Sequence, residues 1–110
     1  MPEVLARFFE ATENYDKQAL LATLSPDIRL MDEGKLIATD GLEKWNRDVF
    51  FGVSIKLTPL SIRREEDMVI VKVILDGDYS KYNIYGPFDY EGWFKIENSL
   101  ISFLEFKPSK

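Results

Sequence analysis

The sequence contains neither cysteine nor histidine. The first absence excludes disulfides and thiol nucleophiles. The two together exclude Cys/His zinc sites, Ser-His-Asp triads and proton transfer through imidazole. Acid–base chemistry, if there is any, must rest on Asp, Glu, Tyr or Lys. Positive charge is also scarce, with 14 Lys and Arg against 19 Asp and Glu for a formal net charge of −5. The longest basic run is the pair Arg63–Arg64, followed at once by Glu65, Glu66 and Asp67. Phosphate backbones require a basic face, so nucleic acid is not an expected partner. Long apolar stretches are missing as well. The longest, Met68–Leu75, has eight residues, and a membrane-spanning helix needs about 20. The first twenty residues carry acids and no extended apolar core, which predicts no signal peptide and a cytoplasmic protein. There is no glycine-rich phosphate loop, and Asp76-Gly77-Asp78 lacks the third ligand and distal Glu of a calcium loop. No metal or cofactor is expected.

What is present is enough for one real core. A chain of 110 residues, 45% hydrophobic and 30% charged, has ordinary globular composition and reads as a single domain over 1–110. Aromatic residues make up 14%, and large rings either fill cores or line small-molecule cavities. Met68–Leu75 (MVIVKVIL) is rich in β-branched residues and reads as a central strand. Val69, Val71, Val73 and Leu75 share one face; Met68, Ile70, Lys72 and Ile74 share the other, so both faces are mostly apolar and the second needs a cover.

Ahead of that strand, Val4, Leu5, Phe8, Phe9 and Thr12 recur at helical spacing. Asn14-Tyr15-Asp16 ends this helix, and Asp16 caps a second one running to about Thr23. Asp27–Asp32 alternates as a short strand, Glu33-Gly34-Lys35 turns, and Leu36–Ala38 pairs back. Asp40 with Glu43 has the form of a capping box for a third helix, with an apolar stripe of Leu42, Trp45, Val49 and Phe50. From Val53 onward the pattern is strand-like, with a phase slip at Pro59 that predicts a bulge in an edge strand. Asp76-Gly77-Asp78 turns, Tyr79–Gly86 is strand or loop, and Phe88–Ile96 and Leu100–Phe106 are the last two strands. Helices first and a strand meander after them predict an α+β fold with helices on one face of an antiparallel sheet.

The segments Phe8–Asp16 (FFEATENYD), Leu20–Gly34 (LLATLSPDIRLMDEG), Asp40–Trp45 (DGLEKW) and Gly92–Phe106 (GWFKIENSLISFLEF) resemble, in order and spacing, the NTF2-like or SnoaL-like proteins. These are the cystatin-like α+β cones of nuclear transport factor 2, ketosteroid isomerase and polyketide cyclases. The resemblance implies N-terminal helices packed on a strongly curved, mostly antiparallel sheet that forms a cone with a pocket. It also implies a homodimer through the convex face of the sheet, which would cover Ile70 and Ile74. Phe8, Trp45, Tyr85, Tyr90 and Phe94 then become candidate pocket residues, with Tyr15, Tyr79 and Tyr82 as further rings, and the implied partner is a small hydrophobic molecule.

Asp32 falls where isomerase-like members of this group carry a carboxylate general base. A carboxylate desolvated at an apolar mouth accepts a proton more readily near neutral pH. Asp32 is equally well explained as the opening residue of a turn. The isomerase's tyrosine position is Phe8 here, and its acid position falls near Gly92, with Asp89 and Glu91 close enough for a register slip to restore it. The dehydratase branch needs a histidine that this chain lacks. Three functions follow as alternatives. One is a domain that binds a small hydrophobic ligand in the cone without assigned catalytic machinery. The second is an enzyme in which Asp32 is the base of an isomerase- or cyclase-type proton transfer. The third is a non-catalytic interaction or dimerisation module whose cone is filled by its own aromatic side chains.

Overall fold

Helix α1 (Glu3–Glu13) buries the stripe its spacing predicts: Val4, Leu5, Phe8, Phe9, Ala11 and Thr12. The Thr12 hydroxyl donates to the Phe8 carbonyl at 3.0 Å, which satisfies a polar group inside an apolar face. The helix ends in a Schellman turn. Asp16 N–H donates to the Ala11 carbonyl, Tyr15 N–H donates to that of Thr12, and Tyr15 sits at φ 53°. That left-handed position usually belongs to glycine. Asp16 then caps α2 (Lys17–Leu21), its carboxylate accepting from Ala19 N–H at 3.0 Å. The structure is a computed structural model that describes residues 1–32 and 34–109; the side chains of Asp32 and Tyr82 lie outside the described set.

Six strands follow: β1 (Leu24–Asp32), β2 (Lys35–Ile37), β3 (Lys56–Glu65), β4 (Met68–Asp76), β5 (Phe88–Glu97) and β6 (Leu100–Pro108). They form one open sheet in the order β2-β1-β6-β5-β4-β3. All neighbours pair antiparallel except β1 with β6, which run parallel, so the sheet is mixed. The helices pack on its inner face, giving the expected α+β cone. No helix among the described residues is long and apolar enough to cross a membrane. The predicted slip at Pro59 is a bulge between Pro59 and Ser61 on β3, an edge strand. The segment Tyr79–Gly86 is a connection with one 3₁₀ turn, Ser80–Tyr82, rather than a strand.

β4 carries Val69, Val71, Val73 and Leu75 into the core, as its alternation requires. On its outer face Ile70 is fully buried within this one chain. Its lateral partners are Arg63 on β3 and Trp93 on β5, so intramolecular neighbours supply the cover at Ile70. Ile74 remains half-buried.

The third helix departs most from its sequence pattern. Only Leu42–Lys44 (α3) is α-helical; Trp45–Phe50 is wound as a π-helix, and Phe51–Val53 is a 3₁₀ turn ending on left-handed Ser54. A π turn closes i→i+5 rather than i→i+4. The residue stacked on Trp45 is therefore Phe50, at 5.1 Å between ring centroids. Val49, the expected α-helical partner, is 49% exposed. Nor does the expected capping box form: Asp40 lies inside a 3₁₀ turn, and the helix ends there have no side-chain cap.

Gly92 packs its Cα against two rings. A Cβ there would stand 2.7 Å from Phe94 Cε2 and 3.0 Å from Phe106 Cε1. Both rings belong to the packed interior, so Gly92→Ala should destabilise by about 1–3 kcal/mol through overpacking. The check is a lower urea midpoint at unchanged m-value. Asp16→Ala, which removes the α2 cap, should cost about 0.5–2 kcal/mol in the same assay.

Candidate functional site

The cone's interior is where a ligand site would form, and its walls are rings. From α1, Phe8 meets Phe9 at 5.4 Å, Phe94 of β5 at 5.4 Å and Phe50 at 5.9 Å. Phe94 also meets Phe9 at 6.0 Å and Phe106 of β6 at 6.1 Å. Phe50 sits between Trp45 and Phe51, 5.1 Å from each. Most of these pairs are edge-to-face, a geometry worth about 0.5–1.5 kcal/mol each beyond area burial. Phe8 and Phe94 have 0% exposure. A cavity that admits even one water leaves its lining rings with accessible surface, so no such cavity touches Phe8 or Phe94.

The sequence-derived residues divide accordingly. Phe8, Trp45 and Phe94 come together in the ring cluster. Tyr90 is partly buried at its margin, 6.4 Å from Phe88. Tyr85 is 72% exposed in the β4–β5 connection, away from the cone. Tyr15 meets Phe51 at 6.1 Å and reaches the Ser54 carbonyl with its hydroxyl at 3.4 Å, joining the α1 turn to the end of the third helical run. Asp32 ends β1 opposite Lys35; its side chain is among those outside the described set, as is that of Tyr82. Sequence reasoning passed over Phe9, Phe50, Phe51 and Phe106 as cone residues. The Phe8-Phe9 and Phe50-Phe51 doublets were the available signal, since neighbours about 100° apart on a helix can share one broad apolar face.

A register slip does not restore the missing acid. Gly92 lies opposite Val71 on the inner face, whereas Asp89 and Glu91 alternate to the outer face. There the Glu91 carboxylate accepts from the Arg63 guanidinium at 2.8 Å. That hydrogen bond holds the Glu91 carboxyl below the usual glutamate range and raises Arg63 in turn.

The outer face is a lattice of charge around one indole. Lys107 Nζ lies 4.4 Å from the Trp93 ring centroid and the Arg63 guanidinium carbon 5.9 Å from it. Both are within cation–π range. The Trp93 indole N–H is buried, with no partner in good hydrogen-bond geometry among the described residues. Lys95 reaches Asp67 at 3.2 Å and Glu97 at 3.7 Å, and Lys107 reaches Glu105 at 3.6 Å. Hydrogen bonding to Asp67 raises the Lys95 ammonium above its ordinary value. Two clefts lie outside the cone. One, of about 260 Å³, opens on this outer face beside Lys95, Phe103 and Arg29; the other, of about 320 Å³, runs between α1 and α2 over Ala11, Ala19 and Ala22.

No family model matches the chain, and no curated protein does. Solved structures do. A protein from Sinorhizobium meliloti assigned as a candidate polyketide cyclase is 23% identical, with a TM-score of 0.83 over 97% of this chain and 95% of that one. An NTF2-like protein of unknown function from Cytophaga hutchinsonii is 14% identical, with a TM-score of 0.77 over 97% and 88%. A protein with a ketosteroid isomerase-like fold from Catenulispora acidiphila, solved with trimethylamine, is 14% identical, with a TM-score of 0.80 over 99% and 87%. At these identities the likeness reports architecture, and the architecture hosts many functions. By element order, sheet topology and superposition, this chain has the NTF2-like, cystatin-type α+β fold that its sequence segments resemble.

Proposed function

We propose that this chain is a non-catalytic interaction module that self-associates through the outer, convex face of its sheet. The observation that carries this reading is the ring packing inside the cone: Phe8 of α1 and Phe94 of β5 meet there and have no accessible surface. A site for a drug-sized molecule takes about 300 Å³ or more of enclosed space, and the rings occupy that position. The outer face offers the alternative. It interleaves Arg63, Lys72, Lys95 and Lys107 with Glu65, Glu91 and Glu105 across adjacent strands, and among them stand half-buried Met68, Ile74, Trp93 and Phe103. A two-fold interface needs one patch that complements itself, and rows of alternating sign with an apolar centre do so. Within one chain, ion pairs this exposed contribute only about 0–1 kcal/mol.

The second reading keeps the cone as a site for a small hydrophobic molecule with Asp32 as general base. Two fold neighbours favour it, one co-crystallised with polyporic acid and one in complex with trimethylamine.

Sedimentation velocity over a concentration series tests the first reading. The parent chain should form dimers, and Arg63→Glu, which sets a carboxylate against Glu91 and Glu65, should leave monomers that still unfold cooperatively. A parent that stays monomeric at every concentration overturns self-association. A thermal-shift screen against cyclic ketones and lactones should give no shift; one that vanishes in Trp45→Ala would transfer support to the ligand reading. The pH dependence has a definite sign. Glu91 is depressed by Arg63, so its contribution is complete above about pH 4.3, the unpaired glutamate value. It is lost as pH falls below that, through the depressed value. The folded chain should therefore keep this contribution at pH 5 and lose it toward pH 3, read as a falling melting temperature.

A further inference from the structure

The mismatch between the pattern and the winding of the third helical run points to a device in the cone wall. Residues 42–53 carry two apolar stripes. Read with α spacing, at about 100° per residue, Leu42, Trp45 and Val49 share a face and Phe51 points away from it. Read with the observed π winding, Trp45, Asn46 and Phe50 turn inward, Phe51 follows them, and Val49 turns out. Both stripes are apolar, so burial alone does not single out one winding.

The observed register also carries signs of strain. π-helices are rare and recur at functional sites and hinges. The inward Asn46, 1% exposed, donates through Nδ2 to the Lys17 carbonyl at 3.0 Å, while its Oδ1 is buried without a hydrogen-bond partner among the described residues. Such an orphan acceptor is costly. Downstream, Ser54 sits at φ 51° and ψ 50°, a left-handed conformation that a serine adopts with strain. The π turn holds one residue more than an α turn, and this 3₁₀ and left-handed exit is where the extra residue can be taken up.

We propose that residues 42–53 are a two-register gate on the cone. In the π register Phe50 and Phe51 fill the interior. A shift to the α register carries Phe51 out and Val49 in, replacing a phenyl ring by an isopropyl group. The space released is the difference between the two side chains, smaller than one ring, bordered by Phe50 and Tyr15, and suits a small apolar guest. The two registers differ in affinity for such a guest, which is what a ligand needs in order to shift a population. This inference is independent of self-association through the outer face, whose assay reads assembly and not register.

Because the chain has no cysteine, one introduced thiol reports the register without background. In Val49→Cys the thiol should react with a maleimide at close to the rate of the urea-unfolded chain. Adding Phe51→Ser, which favours exposure of residue 51, should bury the thiol and slow labelling at least tenfold. Xenon under pressure, an apolar probe smaller than a ring, should slow labelling of Val49→Cys alone. A static plug predicts the opposite: Phe51→Ser leaves a hole, position 49 stays exposed, and labelling is as fast or faster. That result overturns the gate. If the serine variant does not melt cooperatively, Phe51→Leu in the same background gives the comparison, with slower labelling expected and an unchanged rate again overturning the proposal.

Discussion

The contact between Phe8 and Phe94 is the one on which the rest of the molecule depends. It joins α1 to the middle of the sheet, and neither ring retains accessible surface. Gly92 is bare because Phe94 and Phe106 lie over it. Phe50 reaches the same cluster from the third helical run, so that run is held by rings more than by backbone regularity. The absence of a hydroxyl at position 8 and of a carboxyl at position 92 follows from this packing. A tyrosine or an acid at those positions would add buried polar groups to a space without partners for them.

The two faces of the sheet therefore solve different problems. The inner face excludes water with rings, while the outer face shields Ile70 with the stems and charges of its neighbours. Long basic side chains can lie along apolar surface and keep their charges in water. Arg63 and Lys107 do so over Trp93. That is why an apolar residue on the outside of a strand is buried before any second chain is considered.

Much of this architecture is legible in the sequence where local chemistry and global packing agree. The α1 stripe, the Asp16 cap, the faces of β4 and the bulge after Pro59 all follow from spacing, capping and the missing proline N–H. The third helix was not legible in the same way. Leu42, Trp45 and Val49 satisfy an α period, and nothing local discloses that the cone has room for the Phe50-Phe51 doublet and so favours a wider turn. The close packing of Phe8 on Phe94 was equally hidden. Phe8, Trp45 and Phe94 were identified as inward residues from the pattern, but whether inward rings leave space between them depends on volumes summed over four elements. Tyr85 shows the converse: an aromatic residue in a loop carries no periodicity to say which way it faces.

The parallel pairing of β1 with β6 has a consequence for how the chain acquires this structure. β6 is the strand that joins β1 and β2 to the meander, and it is the last to be synthesised. Until it inserts between β1 and β5, the first two strands have no sheet to join, and α1 has only part of the surface it finally covers. Contacts of such long sequence separation slow folding, and apolar surface left waiting invites association with other chains. β6 therefore closes the sheet, and Leu30 on β1 lacks its neighbour Leu104 until it does.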